Sequence, residues 1–282
     1  MKRTLYAIAI AAMPLISVAQ DLPAPSPKAM VQQRIGLTDV TVEYSRPSMK
    51  GRKVFGDVVP YGEVWRTGAN KATSISFKGD VVVADQPLKA GTYSIFTIPH
   101  EGGAWEVIFN RNTELWGASD RKPEEDVLHI KVPAKECPIT ETFTMEFANL
   151  GQDEGDLVLR WETQEAFVHI TADATKQGKA NIAEAVAKAD AGYRPFYSAA
   201  NFYLDRNLDA KQALAWAEKS VSKEKKYWNT FVLAKAQAAN NMFKEAADTA
   251  REAAKMAAEE KDGGAERTYL QKSEEWMAKA GK

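Results

Sequence analysis

The chain has 282 residues, with 37 Lys and Arg against 38 Asp and Glu, a formal net charge of −1 and one cysteine. A near-neutral chain lacks the basic excess that binding to a phosphate backbone requires, so we expect no nucleic-acid partner. The single cysteine excludes an intramolecular disulfide, and the length favours two domains.

Residues 1–19 have the pattern of a secretory signal peptide. Lys2 and Arg3 form a charged start, Leu5–Ile16 form an apolar run, and Ser17–Ala19 offers small residues for cleavage after Ala19. The apolar run is shorter than the roughly 20 residues that a membrane-spanning helix needs. We therefore expect an exported protein, periplasmic or secreted, with no transmembrane segment. A retained membrane anchor is the alternative.

Residues 20–29 form a proline-rich leader. Pro23, Pro25 and Pro27 each fix the backbone angle φ and lack an N–H group, so this segment cannot join a regular helix or a sheet interior. We predict that it runs in an extended conformation into a β-domain at residues 30–170.

Apolar residues in this domain recur at every second position. Phe143, Met145 and Phe147 give the clearest case, because the residues between them are polar. Such alternation is typical of strands with one buried and one wetter face, which favours antiparallel sheets. About eight to ten short strands at this spacing predict an antiparallel β-sandwich.

Glycine-containing turns divide the predicted strands. Lys78-Gly79-Asp80 lies between Ile75–Phe77 and Val81–Val83, and we predict a β-hairpin there. A second hairpin is predicted at Glu101-Gly102-Gly103, which separates two more apolar runs.

Residues 171–282 differ sharply in composition. Alanine fills 28 of these 112 positions, and no proline follows Pro195. Because alanine is the strongest helix former, the segment predicts an α-helical domain, and the whole chain is expected to have an α+β fold with two domains. The six predicted helices span residues 179–190, 194–206, 209–222, 226–240, 243–261 and 265–280.

An internal repeat is visible in the helical segment. Tyr197 matches Phe231 at an offset of 34 residues, and Ala213 matches Ala246 at an offset of 33. This period resembles that of the tetratricopeptide repeat, a pair of helices with small residues at the crossing. The proline that usually follows the second helix of that repeat is missing, and a generic helical bundle is the alternative. Stacked helix pairs would suit a protein or peptide partner.

A cluster of basic and aromatic residues lies between two predicted helices. Lys223, Lys225, Lys226, Tyr227 and Trp228 could receive an acidic partner. The alternative is a solvated turn whose aromatic side chains pack inward.

Five short sequence segments of the β-domain are distinctive in combination. They are Ser26-Pro27-Lys28, Ile35-Gly36-Leu37-Thr38, Tyr44-Ser45-Arg46-Pro47, Pro60–Asn70 and Ala90-Gly91-Thr92-Tyr93. Together they resemble DUF2911, a family of secreted bacterial proteins of unknown function, over about residues 25–170. The resemblance implies export and a β-domain with appended helices. It carries no activity and no catalytic residues onto this chain.

The segment from Tyr61 to Asn70 combines the most distinctive residues of the chain, and it predicts a ligand site. Arg66 and Asn70 bring a fork of donors and an amide close to Trp65 in a glycine-containing loop, and Arg46 could converge on them. Such a set could hold a carboxylate, a phosphate or a sugar, with the indole ring stacked on the ligand. The alternative is structural: a buried Arg66 paired with Glu63 or Asp57, and Trp65 in the core.

The other tryptophans of the β-domain divide into two kinds. Trp105 and Trp161 fall on the apolar phase of their strands and are expected in the core. Trp116 lies in a predicted loop, where an exposed indole could bind a ligand such as a sugar.

Metal and catalytic motifs are missing from the sequence. His100, His129 and His169 have no paired ligand spacing, and Cys137 has no partner cysteine. We therefore expect no metal, no cofactor and no assignable catalytic residue. The leading interpretation is a non-enzymatic ligand- or protein-binding protein of the cell envelope. The alternative is a hydrolase acting on glycans or peptides with carboxylates that the sequence does not identify.

Overall fold

The computed structural model describes residues 23–188 and 192–281, so the predicted signal peptide lies outside the described residues. Two antiparallel sheets come first in the chain, and six helices follow them within the described ranges. The predicted α+β fold with a β-rich first part and a helical second part is confirmed.

The β-domain begins two residues earlier than the sequence predicted, at Lys28, and its last strand ends at Thr171. Its strands are β1 (Lys28–Ile35), β2 (Thr38–Ser45), β3 (Thr73–Phe77), β4 (Val81–Val83), β5 (Gln86–Leu88), β6 (Gly91–Ile98), β7 (Trp105–Asn110), β8 (Asp126–Val132), β9 (Ala134–Ala148) and β10 (Glu154–Thr171).

These strands form two sheets that pack face to face. The larger sheet has the order β1-β2-β3-β6-β7-β8, and the smaller has the order β5-β4-β10-β9. Val42 and Phe109 of the larger sheet and Leu159 of the smaller sheet are all buried in one continuous core. Trp105 and Trp161 lie in this core with 1 % and 2 % of their surface exposed, as the sequence predicted.

The connection at Lys78-Gly79-Asp80 does not form the predicted hairpin. Strand β3 pairs with β2 and β6, whereas β4 pairs with β5 and β10, so the chain passes from one sheet to the other at this turn. Both edges of β3 are occupied, which leaves no room for β4 beside it. The Asp80 carboxylate instead accepts a hydrogen bond from the backbone N–H of Ala90 at 2.9 Å. The predicted turn at Glu101-Gly102-Gly103 does join the hairpin of β6 and β7.

Two long loops cover the outer face of the larger sheet. Phe96 and Ile108 point away from the main core, yet neither is exposed. They are buried against Ala72 from the connection between β2 and β3 and Leu115 from the connection between β7 and β8. Burial of these four side chains holds the two loops side by side, and the loops carry most of the predicted site residues.

Six helices follow within the described residues, close to the predicted ranges. They are α1 (Thr175–Ala187), α2 (Arg194–Asp205), α3 (Ala210–Lys223), α4 (Tyr227–Ala239), α5 (Phe243–Glu259) and α6 (Gly263–Ala280). Asp209 caps α3 by accepting hydrogen bonds from the N–H groups of Lys211 and Gln212, and Asp262 caps α6 in the same manner. None of the described helices combines the length and apolar character that crossing a membrane requires.

Two helix pairs recur at the predicted period. Helix α2 begins at Arg194 and α4 at Tyr227, which is 33 residues later. Helix α3 begins at Ala210 and α5 at Phe243, again 33 residues later. Fully buried alanines lie where the helices meet, which allows their backbones to approach closely. Their classification as tetratricopeptide-like repeats stays a prediction.

One acidic turn connects the two parts of the molecule. Asp153, between β9 and β10, accepts two hydrogen bonds from the Arg206 guanidinium at the end of α2, at 2.6 and 2.7 Å. Its carbonyl accepts a hydrogen bond from the N–H of Ala172 at the exit of the last strand. This ion pair therefore fixes the first helices against the end of the β-domain.

Candidate functional site

The loop that carries Arg66 and Asn70 has an unusual backbone. Thr67 and Asn70 have φ angles of 55° and 60°, in the left-handed region that side chains disfavour. Gly68 has a φ of 150°, and a Cβ atom there would lie 3.0 Å from the carbonyl oxygen of Ser45. The glycine is thus needed because the loop packs tightly on the end of β2.

Hydrogen bonds hold Arg66 in this loop. Its Nη1 atom donates to the carbonyl oxygen of Asn70 at 3.2 Å and to that of Trp116 at 2.7 Å. The half-buried guanidinium forms no ion pair with Glu63, Asp57 or any other carboxylate among the described residues. Arg66 therefore joins the two covering loops through backbone carbonyls, which differs from the salt-bridged burial that the structural alternative predicted.

Asn70 lies at the surface and joins three segments. Its amide donates to the hydroxyl of Ser45 and to the carbonyl oxygen of Ser26, both at 3.2 Å. The proline-rich leader is consequently fastened to the loop at this position. Arg46 lies next to Ser45 in the chain, but its guanidinium donates to β9, at the Phe143 carbonyl (3.0 Å) and the Thr144 hydroxyl (2.7 Å). It links the two sheets at this end of the sandwich.

The two candidate tryptophans occupy opposite environments. Trp65 stacks on Trp161 with ring centroids 5.7 Å apart and meets Phe143 edge-on, so its indole belongs to the core. Its Nε1 atom donates to the carbonyl oxygen of Gly68 at 3.1 Å. Trp116 has 64 % of its surface exposed. Of the two, Trp116 alone presents a ring face to solvent.

A cleft of about 370 Å³ opens beside Asn70 on the outer face of β1, β2 and β3. Lys28 and Lys71 bring positive charge to it, Glu43 brings negative charge, and the exposed Met30 and buried Tyr44 add apolar surface. The remaining lining residues are Ala29, Ser45 and Ser74.

Lys71 connects the cleft to the loop that carries Trp116. Lys71 forms an ion pair with Glu114 at 3.0 Å, and this contact keeps the pKa of the Glu114 carboxyl below its ordinary value. Glu114 therefore contacts a residue that lines the cleft, and the carbonyl oxygen of Trp116 contacts the Arg66 loop. Lys28 and Glu43 were not identified from the sequence, because pairing of β1 with β2 brings them together. Lys71 follows Asn70 in the sequence, and this adjacency was the one sequence feature that could have identified a residue of the cleft.

The β-domain matches the model of a known protein family. The model of the family described as protein of unknown function (DUF2911) matches residues 26–170, which is more than half of the chain. The chain belongs to the DUF2911 family. No curated protein and no solved structure shows significant similarity to it.

The DUF2911 domain brings together two histidines that are distant in sequence. His100 Nε2 lies 2.8 Å from one oxygen of Glu106, and His129 Nε2 lies 2.5 Å from the other. These hydrogen bonds hold the pKa of the Glu106 carboxyl below its ordinary value. Sequence spacing gave no signal for this cluster, because the register of β6, β7 and β8 creates it. No group of three or more His, Cys, Asp or Glu side chains within the described ranges is arranged to hold a metal ion.

The single cysteine of the DUF2911 domain lies on β9. Burial and the nearby Glu165 carboxylate raise the pKa of the Cys137 thiol. Because the thiolate is the nucleophilic form, this environment makes the sulfur less reactive than that of an ordinary exposed cysteine.

Proposed function

We propose that this DUF2911 protein is an exported, non-enzymatic binding protein whose β-domain holds an acidic sugar in the cleft beside Asn70. One observation carries the proposal. The cleft lies against the loop of Arg66 and Asn70, and two lysines, one carboxylate and apolar surface line it together. Small-ligand sites commonly combine an apolar lining with a few placed polar groups.

The charges of the cleft favour a ligand with a carboxylate. Lys28 and Lys71 can pair with an acidic group, while Glu43 and the hydroxyls of Ser45 and Ser74 can bind sugar hydroxyls. Met30, with 60 % of its surface exposed, offers an apolar contact for a ring face. A uronic acid combines these features in one small molecule.

Trp116 supports a ligand longer than one sugar. Its exposed indole lies on the loop whose Glu114 contacts Lys71, and its own carbonyl oxygen is bound by Arg66. Aromatic rings with one free face and a fixed backbone are suited to stacking on flat apolar surfaces of a ligand. An acidic oligosaccharide would span from the cleft to this ring.

The lining of the cleft favours binding over hydrolysis. Glycoside hydrolysis uses two carboxyl groups on opposite sides of the bond that breaks. Glu43 is the one carboxylate among the lining residues that the structure describes. Export is proposed on the sequence of residues 1–19 alone, and cleavage after Ala19 is its direct test: the purified mature protein should begin at Gln20.

Calorimetric titration with oligogalacturonate and with a neutral glucose oligomer of equal length tests the binding proposal. We expect heat with the acidic oligomer and none with the neutral one. Lys71→Gln and Trp116→Ala should each weaken binding about tenfold, which corresponds to about 1.4 kcal/mol. Lys89→Gln is the matched control, because Lys89 also forms an exposed ion pair, with Asp80. Absence of binding, or equal binding of both oligomers, contradicts the proposal.

A further inference from the structure

A second cleft, of about 500 Å³, lies in the helical region, where α2 and α4 begin. It is separate from the binding cleft of the β-domain. The residues that line it are Gly192, Tyr193, Arg194, Glu224, Lys226 and Trp228. Three of them belong to, or adjoin, the basic and aromatic cluster that the sequence singled out.

Two buried polar side chains bind the backbone of residues that line this cleft. Ser220 and Asn229 are both fully buried. The Ser220 hydroxyl donates to the carbonyl oxygen of Tyr193 at 3.2 Å, and the Asn229 amide donates to the carbonyl oxygen of Glu224 at 2.7 Å. The Asn229 amide also donates to Ser220, at 3.1 Å. The start of α2, the end of α3 and the start of α4 are thereby fixed to one another before any ligand arrives.

The charges around the cleft favour an anion. Arg194 is exposed and pairs with no carboxylate in the part of the chain that the structure describes. Lys226 lies 3.0 Å from Glu224, the one carboxylate among the described lining residues. At the rim, Lys225 pairs with Glu252 at 2.6 Å. The positive ends of two helix dipoles open toward the same space, and no side chain caps α2.

An aromatic wall accompanies the positive charge. Trp228 is half-exposed, and Tyr227 packs edge-on against it with ring centroids 4.8 Å apart. Tyr193 also lines the cleft. A ligand with a carboxylate next to an apolar side chain therefore fits better than a small inorganic ion, which would use the cations alone.

We propose that this cleft binds a segment of a partner protein in which acidic residues adjoin an aromatic residue. The carboxylates pair with Arg194 and Lys226, and the aromatic side chain packs on Trp228. The site lies at the ends of the helices, where Ser220 and Asn229 fix the surrounding backbone by hydrogen bonds. It extends the proposed function by giving the helical region a partner of defined chemistry.

Fluorescence anisotropy with a labelled peptide of six glutamates and one tryptophan tests this inference on the purified protein. We expect binding at low ionic strength, and at least tenfold weaker binding of the peptide in which glutamines replace the glutamates. The double variant Arg194→Gln/Lys226→Gln should weaken binding of the glutamate peptide at least tenfold. Trp228→Leu should weaken it about threefold.

The matched control is Lys211→Gln/Lys244→Gln. It removes the same charge from the first turns of α3 and α5, and neither lysine lines the cleft. It should bind like the unchanged protein. An equal loss of peptide binding in both double variants would mean that the peptide is attracted only by the net charge of the protein. That result would overturn the inference of a specific site. Failure of the glutamate peptide to bind, with oligogalacturonate binding intact, overturns this inference and leaves the proposed function standing.

Discussion

The β-domain and the helical region reach complete burial with side chains of very different size. Trp105, Trp161 and Phe55 are among the largest buried side chains of the sandwich. In the helical region the fully buried positions are mostly alanines, such as Ala213 and Ala250. Large side chains fill the space between two sheets about 10 Å apart, whereas alanines let helix backbones touch. We therefore expect opposite kinds of substitution to destabilise the two regions. The β-domain should lose stability when a buried side chain is shortened, and the helical region when one is enlarged.

The largest expected effect is the loss of a ring from the sandwich. Trp161 touches Trp65, Phe55 and Phe143, and its Nε1 atom donates to the Glu141 carbonyl oxygen at 3.2 Å. Trp161→Ala should lower the free energy of unfolding by about 3–5 kcal/mol, since it leaves a cavity. Guanidinium denaturation followed by circular dichroism measures this change.

Trp116→Ala is the control for that variant, because the exposed ring packs on little. It should alter the free energy of unfolding by no more than about 0.5 kcal/mol. A similar loss of stability in both variants would mean that burial in the core does not determine the cost of removing the ring. The contrast between the β-domain and the helical region would then be wrong for the β-domain.

The next largest effect concerns the junction of the two regions. Asp153 and Arg206 form a mostly buried ion pair with two hydrogen bonds, and hydrogen bonds to charged groups contribute about 1.5–3 kcal/mol. Asp153→Asn should lower stability by about 2 kcal/mol and speed hydrogen exchange in α1 and α2. Asp205→Asn is the control, because Asp205 meets Lys235 at 3.5 Å in a more exposed pair. Unchanged exchange in α2 after Asp153→Asn would show that the regions are joined by other contacts.

Sequence periodicity predicted both kinds of packing, because burial of one face of a strand or helix is a local property. Long-range neighbours were not predictable in this way. The turn at Lys78-Gly79-Asp80 has hairpin composition, yet β2 and β6 occupy both edges of β3. The same limit applies to the proposed binding cleft. Asn70 stood out in its own phrase, but Lys28 and Glu43 reach the cleft only through the pairing of β1 with β2.

A smaller effect tests the alanine packing directly. Ala250 is fully buried between helices, and Ala250→Leu should lower the free energy of unfolding by about 1–3 kcal/mol, because the added atoms force the helices apart. Ala258→Leu is the matched control, since Ala258 lies exposed on the same helix. It should be neutral within about 0.5 kcal/mol. Thermal denaturation of both variants compares them, and equal stability would contradict close backbone packing as the principle of this region.

The smallest expected effect depends on pH and concerns the hydrogen-bonded cluster on the β-domain. His100 and His129 lower the pKa of Glu106 below its ordinary 4.5, so the folded state favours the charged carboxylate. The resulting stability is fully present above pH 4.5 and is lost as the pH falls through the lowered pKa. Glu106→Gln should therefore be less stable than the unchanged protein by at most about 1 kcal/mol at pH 6, because the histidines are half-exposed.

That difference should shrink as the pH falls below 4.5 and through the lowered pKa, as Glu106 becomes protonated in the unchanged protein. Urea denaturation at several pH values measures it. Glu101→Gln is the control, because Glu101 is an exposed carboxylate in the turn of the same hairpin and has no histidine partner among the described residues. It should be neutral within about 0.5 kcal/mol at pH 6. A pH-independent difference for Glu106→Gln would mean that the two histidines contribute through packing. The surface of the sandwich, like its core, would then be stabilised by contact between side chains more than by their charge.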